Sequence, residues 1–108
     1  MTEIVESTDK FTLVILFKTV PEHQQKLIDT VAEETREWIR ELPGFVSSNL
    51  HKSADGTRVV NYGQWESAEA WEEFNDDPRT DRLRERIDDV EGVELIEANN
   101  YIVDDVFQ

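Results

Sequence analysis

Two side chains with hydrogen-bonding groups lie four residues apart in a segment typical of a β-strand. Asn61 and Trp65 belong to residues 57–65, where branched and aromatic side chains predominate. Because successive side chains of a strand alternate between its faces, positions four apart lie on the same face. An amide donates and accepts hydrogen bonds, and an indole offers a flat apolar wall with one N–H donor. Such a pair could orient a small aromatic molecule that carries an oxygen atom.

Two more aromatic side chains follow on the next predicted element. Ser67 is a good N-cap for a helix over residues 68–74, in which Trp71 and Phe74 lie three apart on one face. We expect these rings to wall the same cleft and bind substrate there. The simpler interpretation of each ring is core packing. For Asn61 the simpler interpretation is an amide that pairs with a buried backbone group, since an unpaired one would cost about 1–3 kcal/mol.

The composition excludes several kinds of chemistry. The chain has no cysteine, which rules out disulfides, thiolate nucleophiles, zinc fingers and iron–sulfur clusters. Its 2 histidines are too few for a multi-histidine metal site, and we expect neither a metal nor another cofactor. His51 lies near the end of a predicted hairpin, where we expect a solvated side chain; the alternative is a general base.

The charge of the chain limits its partners. With 11 basic and 25 acidic residues the formal net charge is −14, which repels a phosphate backbone, so we expect neither nucleic acid nor an anionic membrane as a partner. No run approaches the roughly 20 apolar residues of a membrane helix, and the first residues lack the pattern of a signal peptide. These features predict a cytoplasmic protein. The acidic excess favours adaptation to a salty cytoplasm over an acidic interaction module, because disordered modules lack aromatic residues.

The elements that must position these residues follow from hydrophobic patterning. Residues 11–17 form a short apolar run that predicts a strand buried on both faces. From Pro21 an amphipathic pattern predicts a helix of about 20 residues, with Glu34 among the residues of its solvent face and Pro43–Gly44 at its end.

The second half of the chain predicts a hairpin, two helical stretches and a strand. Asp55–Gly56 lies between two β-compatible runs and is a strong turn signal. We expect a polar segment at residues 1–10 and a single domain over residues 11–108. The predicted elements are strands 45–52 and 57–65, helical stretches 68–74 and 79–89, and a last strand at 93–103.

This order predicts an α+β fold of the ferredoxin-like, split βαβ type, with a four-stranded antiparallel sheet and helices on one face. The first strand is apolar on both faces, and such a sheet leaves one face open. One face of the strand carries Val14 and Leu16, and the other carries Phe11, Leu13, Ile15 and Phe17. Exposing either set forfeits roughly 1.5–3 kcal/mol per large side chain, so we expect a homodimer whose two sheets face each other. The alternative is a cover formed by the C-terminal residues, including Val106 and Phe107.

Residues 59–71 carry a family resemblance. Their sequence, Val-Val-Asn-Tyr-Gly-Gln-Trp-Glu-Ser-Ala-Glu-Ala-Trp, resembles the strand-into-helix segment of antibiotic biosynthesis monooxygenase domains. The Leu-Pro-Gly-Phe sequence that ends at Phe45 and the hairpin after it also lie where that family has them. The resemblance covers roughly residues 11–103 and implies the dimeric α/β-barrel version of the fold.

The resemblance also implies an activity. It implies a cofactor-independent monooxygenase that oxidises a small phenolic or quinol-like compound with dioxygen, with Asn61 and Trp65 in contact with the ligand. Trp71 stands where some members have a tyrosine, and this removes a hydroxyl that could relay a proton. The haem-degrading branch is disfavoured because residues 66–108 contain no histidine to serve as an axial ligand. The alternative is a dimeric domain of the same fold that binds a small ligand without turnover.

Overall fold

The computed structural model describes residues 10–102, 104–105 and 107. Its helices and strands follow the predicted order, with one additional 3₁₀ turn. The elements are β1 (Phe11–Lys18), α1 (Gln24–Glu37), the 3₁₀ turn (Ile39–Glu41), β2 (Phe45–Lys52), β3 (Arg58–Trp65), α2 (Ala68–Asp76), α3 (Pro78–Asp88) and β4 (Glu94–Tyr101).

The four strands form one antiparallel sheet in the order β2-β3-β1-β4. Strand β1 therefore lies in the centre, paired with β3 on one side and β4 on the other. The predicted α+β, ferredoxin-like fold with helices on one face is confirmed. In the described part of the chain, no helix is long and apolar enough to cross a lipid bilayer.

Local sequence signals account for the turns. Gly56 has a φ of +81°, which favours glycine, and it closes the β2–β3 hairpin at the predicted place. Ser67 caps α2 by accepting a hydrogen bond from the Ala70 amide at 3.1 Å. Asp77 caps α3 in the same way, with Pro78 at the first helical position.

The first helix is shorter than predicted. It ends at Glu37, because Trp38 leaves the helical conformation with a φ of −147°, and the 3₁₀ turn follows. The Trp38 side chain explains the break. Its Nε1–H donates to Glu34 at 2.7 Å, and its ring packs against Phe74 with centroids 5.8 Å apart. These contacts outweigh the helical propensity of the residues that follow.

The solvent-face assignment of Glu34 is wrong. Its residue surface is only 2% exposed, and its carboxylate lies between α1 and α3. Arg86 donates to it at 2.6 Å and Arg82 at 3.2 Å, in addition to Trp38. Burial by itself raises the pKa of Glu34, but the hydrogen bonds from Trp38, Arg86 and Arg82 bring this pKa below its ordinary value of 4.5.

Two clusters of buried apolar side chains join the helices to the sheet. One lies near the hairpin turn, and the other lies where β3 leads into α2. The first comprises Phe17, Leu27, Val31, Val59 and Val90, and the second comprises Trp38, Ile39, Trp65 and Leu83.

The opposite face of the sheet carries apolar side chains from its two central strands. Val14 pairs with Tyr62 and Leu16 with Val60, and all four are half-buried. Phe107 is 90% exposed, so its ring does not cover this face as the alternative expectation required. Val106 lies outside the described residues.

We predict that Glu34→Gln lowers the free energy of unfolding at neutral pH by about 1.5–3 kcal/mol, since it removes charge-assisted hydrogen bonds to Arg82 and Arg86. Because the pKa of Glu34 is lowered in the folded protein, its contribution is complete above the ordinary value of 4.5 and is lost as the pH falls through the lowered pKa. Chemical denaturation of both proteins as a function of pH measures this difference.

Glu33→Gln is the matched control, because Glu33 also pairs with Arg86, at 3.5 Å, but is exposed. We expect it to cost less than about 1 kcal/mol. Equal losses in the two variants, or a loss at Glu34 that persists in acid, would contradict a role for the buried carboxylate.

Candidate active site

A cavity opens between the sheet and the helices, where the two core clusters meet. It has an inner lobe of about 90 Å³ and an outer lobe of about 410 Å³ toward β4. The larger volume is within the range of small-molecule sites. The two lobes share a set of apolar lining residues, which are Leu13, Ile15, Phe17, Trp71, Phe74, Leu83 and Ile87.

The floor of the inner lobe is formed by one face of β3. Asn61, Gly63 and Trp65 alternate with residues of the opposite face, and all three line the lobe. Gly63 leaves a space between the amide and the indole. A Cβ added there would meet only backbone oxygens of Leu13 and Ser47, each at 3.9 Å, which is ordinary contact.

Stacked aromatic rings form the wall of the cavity. Trp65 stacks on Phe74 with centroids 5.2 Å apart, and Phe45 and Trp65 form a T-shaped pair with centroids 5.4 Å apart. Trp71 stacks on Phe11, the first residue of β1, with ring centroids 5.3 Å apart. The four residues predicted to form the site therefore come together. Trp65 and Phe74 also pack in the core, so the packing and lining interpretations hold for the same side chains.

The polarity of the inner lobe comes from an amide and hydroxyls. Thr35, Ser47, Ser48 and Asn61 line it, and none of its described lining residues carries a charge. Ser48 Oγ donates to Asn61 Oδ1 at 2.9 Å. The inner lobe therefore presents neutral hydrogen-bonding groups, and most of the volume for a bound molecule lies in the adjoining outer lobe.

Charged groups appear in the outer lobe. Arg84 and Asp88 of α3 line it beside Thr80. Arg84 is an exposed side chain that also contacts Asp81, at 3.5 Å, and Asn75.

The histidine considered as a general base lies outside this cavity. His51 is exposed, and its Nδ1 lies 3.2 Å from the carbonyl oxygen of Asn49. It is not among the residues that line either lobe. Within residues 10–102, 104–105 and 107, no group of three or more His, Asp or Glu side chains is placed to hold a metal ion.

Ser48 and Gly63 line the inner lobe but are not among the site residues predicted from the sequence. Ser48 reaches Asn61 because β2 pairs with β3 in a register that a bulge between Phe45 and Ser47 shifts by one residue. Gly63 could have been found, since it lies midway between Asn61 and Trp65 on the same strand face.

The described residues form a small α+β protein with a cavity under its helical layer. The model of the antibiotic biosynthesis monooxygenase family matches residues 10–86. The chain belongs to this family.

The chain is also similar to proteins of known activity. The tetracenomycin-F1 monooxygenase of Streptomyces glaucescens is 46% identical over 79 residues, which are 73% of this chain and 70% of that protein. The monooxygenase from the gene ActVA-Orf6 of Streptomyces coelicolor, solved with nanaomycin D, is 36% identical. The structural match covers 94% of this chain and 93% of that monooxygenase, with a TM-score of 0.82.

A more distant structure is similar in fold alone. SnoaB of Streptomyces nogalater, described as a cofactor-independent oxygenase, is 18% identical with a TM-score of 0.73. The match covers 91% of this chain and 96% of SnoaB.

We predict that Gly63→Val blocks the inner lobe. Its side chain fills the space between Asn61 and Trp65, so the affinity for a two-ring phenol such as 1-naphthol falls by about 5–150-fold, the equivalent of about 1–3 kcal/mol of overpacking. The melting temperature stays level or rises, because a β-branched residue replaces glycine in a strand. Fluorescence titration and thermal melting measure the two effects.

Gly63→Ala is the graded control, and we expect a smaller loss of affinity from its single methyl group. Unchanged 1-naphthol affinity in a stable Gly63→Val protein would place the ligand elsewhere.

Proposed function

We propose that this protein is a cofactor-independent monooxygenase that oxidises a small phenolic or quinol-like aromatic compound with dioxygen. The observation that carries the proposal is the amide of Asn61, which lies in the middle of a strand on the floor of an apolar, aromatic-walled lobe. Membership of the family and the monooxygenase activities of its relatives in two Streptomyces species support it.

The proposed reaction balances without an external reductant. In a phenol such as 1-naphthol, one ring C–H bond and the O–H bond are lost, and both carbons become carbonyl carbons. One atom of dioxygen becomes the oxygen of the new carbonyl group, and the other leaves as water with the two hydrogens. The four electrons that reduce dioxygen come from the phenol. The protein supplies a dry aromatic site and an orienting hydrogen bond.

The proposed roles follow from position. Asn61 and Trp65 are the catalytic residues, because they would touch the reacting ring and its oxygen. Trp71 and Phe74 are the substrate-binding residues, since both lie on the shared wall of the two lobes. The Asn61 amide pairs with the Ser48 side chain, whereas the amide of Asn49 on the opposite face donates to the Tyr62 carbonyl oxygen at 2.9 Å.

One observation favours the second candidate, a binding domain without turnover. No described residue that lines the inner lobe has an ionisable side chain that could remove the phenol's proton. A ligand could therefore bind there without reacting.

We predict that Asn61→Ala lowers kcat/KM for 1-naphthol by about 5–30-fold, because the variant loses a hydrogen bond worth about 1–2 kcal/mol in the transition state. The melting temperature should change little. Oxygen uptake and formation of 1,4-naphthoquinone measure turnover, and ¹⁸O₂ should place one labelled atom in each quinone.

Asn49→Ala is the matched control, because it removes a strand amide from the other face of the sheet. It should lower stability and leave kcat/KM unchanged. A wild-type protein that binds 1-naphthol without oxygen uptake would support the binding domain. An Asn61→Ala protein that melts lower but turns over normally would return Asn61 to a structural role.

The apolar face of the sheet supports a homodimer as the working assembly. Val14, Leu16, Val60 and Tyr62 form a continuous half-buried group across the two central strands. A second copy of the same face would bury them, as in the dimeric α/β barrel.

We predict that sedimentation in molar salt gives the mass of two chains, since salt screens the repulsion between copies that each carry a net charge of −14. Leu16→Glu should shift the protein toward the monomer, because it places a carboxylate in the buried interface. Leu95→Glu is the control at an exposed position of β4 on the helix-facing side of the sheet. A wild-type monomer at micromolar concentration would contradict the dimer.

A further inference from the structure

The amide of Asn61 is held by a side chain on the neighbouring strand. In the β2–β3 register Asn61 lies opposite Leu50, and Ser48 lies opposite Gly63. Ser48 is therefore the diagonal neighbour of Asn61 on the same face, and it also lines the inner lobe. Its Oγ lies 2.9 Å from Asn61 Oδ1, which has only lone pairs, so the hydroxyl donates.

This bond decides which end of the amide a ligand meets. A primary amide has one acceptor oxygen and one nitrogen with two donor hydrogens. When Oδ1 is turned toward Ser48, Nδ2 is the atom of this amide that is left for a molecule in the lobe. Gly63 is directly opposite Ser48 and has no side chain, so the space beside the amide stays open.

The lining of the inner lobe strengthens the effect of a hydrogen-bond donor beside Asn61. No described lining residue of the inner lobe carries a charge, and its walls are aromatic and aliphatic. An oxygen anion in such a place is costly unless hydrogen bonds replace its water. Donors that point at the anion in a dry site stabilise it more than they would in water.

We propose that Ser48 is a positioning residue whose hydroxyl holds Asn61 Oδ1, so that Asn61 Nδ2 faces the cavity as a hydrogen-bond donor to the oxygen anion of a bound phenolate. This deepens the proposed function and rests on it, since the ligand is taken to be a phenol. The Ser48–Asn61 pair then selects the ionised form of the phenol, which is the form that gives an electron to dioxygen most readily.

Binding of 4-nitrophenol, followed by absorbance as the pH is varied, tests this selection without any turnover. The bound compound should ionise at a lower pH than the free compound. Ser48→Ala leaves Asn61 free to rotate, so the affinity for the phenolate should fall about tenfold or more. Ser48→Thr keeps the hydroxyl and should bind within about threefold of the wild type, which is less than the loss of one such hydrogen bond.

The neutral methyl ether 4-nitroanisole is the matched ligand, because it fills the same space and cannot ionise. Its affinity should stay within about twofold in Ser48→Ala, since no charge-assisted bond is lost. Equal losses for both ligands would overturn the inference and leave Ser48 as a packing residue. A wild-type protein that raises the ionisation pH of 4-nitrophenol, or does not bind it, would also overturn the inference.

The two proposals fail separately. If the wild type shows no oxygen uptake with 1-naphthol but Ser48→Ala loses phenolate affinity selectively, the oxygenase fails and the Ser48 role stands. If the wild type oxidises 1-naphthol but Ser48→Ala leaves phenolate affinity unchanged, the oxygenase stands and the role of Ser48 fails.

Discussion

A buried carboxylate joins two helices of the layer that covers the sheet. The carboxylate of Glu34 in α1 accepts hydrogen bonds from three side chains. They are Arg82 and Arg86 of α3 and the indole of Trp38. Burying a charge is costly, and this one is tolerated because three donors replace the water it loses. The interaction reaches the cavity through Trp38, whose ring packs on Phe74, the residue that stacks on the floor of the site. The ion cluster therefore fixes Trp38, which packs against the aromatic wall of the cavity.

The cavity exists because small side chains lie under large ones. Along one face of β3 the sequence places an amide, a glycine and an indole, and β2 adds a serine beside them. The helices cannot sink into this space, because the stacked rings of α2 and β3 already meet. A lobe built in this way is polar only where an amide, hydroxyls and indole N–H groups line it. Among the described lining residues of the cavity, charged side chains appear only at the outer lobe.

Much of the fold and part of the site could be predicted, because their signals are local. The hairpin, the helix caps and the shared face of Asn61 and Trp65 each depend on residues within a few positions. Glu34 was misassigned because helical periodicity describes one helix, while its arginine partners lie 48 and 52 residues away. Ser48 was missed because its bond to Asn61 depends on a strand register that a bulge shifts.

The strand order also governs how the chain folds. Central strand β1 needs β4, the last strand in chain order, and their register joins residues as far apart as Thr12 and Tyr101. Pairings so distant in sequence form slowly. Until β4 arrives, the apolar β1 presents an open edge on which another chain could pair. The acidic composition then opposes aggregation during folding. The repulsion of like charges keeps partly folded copies apart while the centre of the sheet is incomplete.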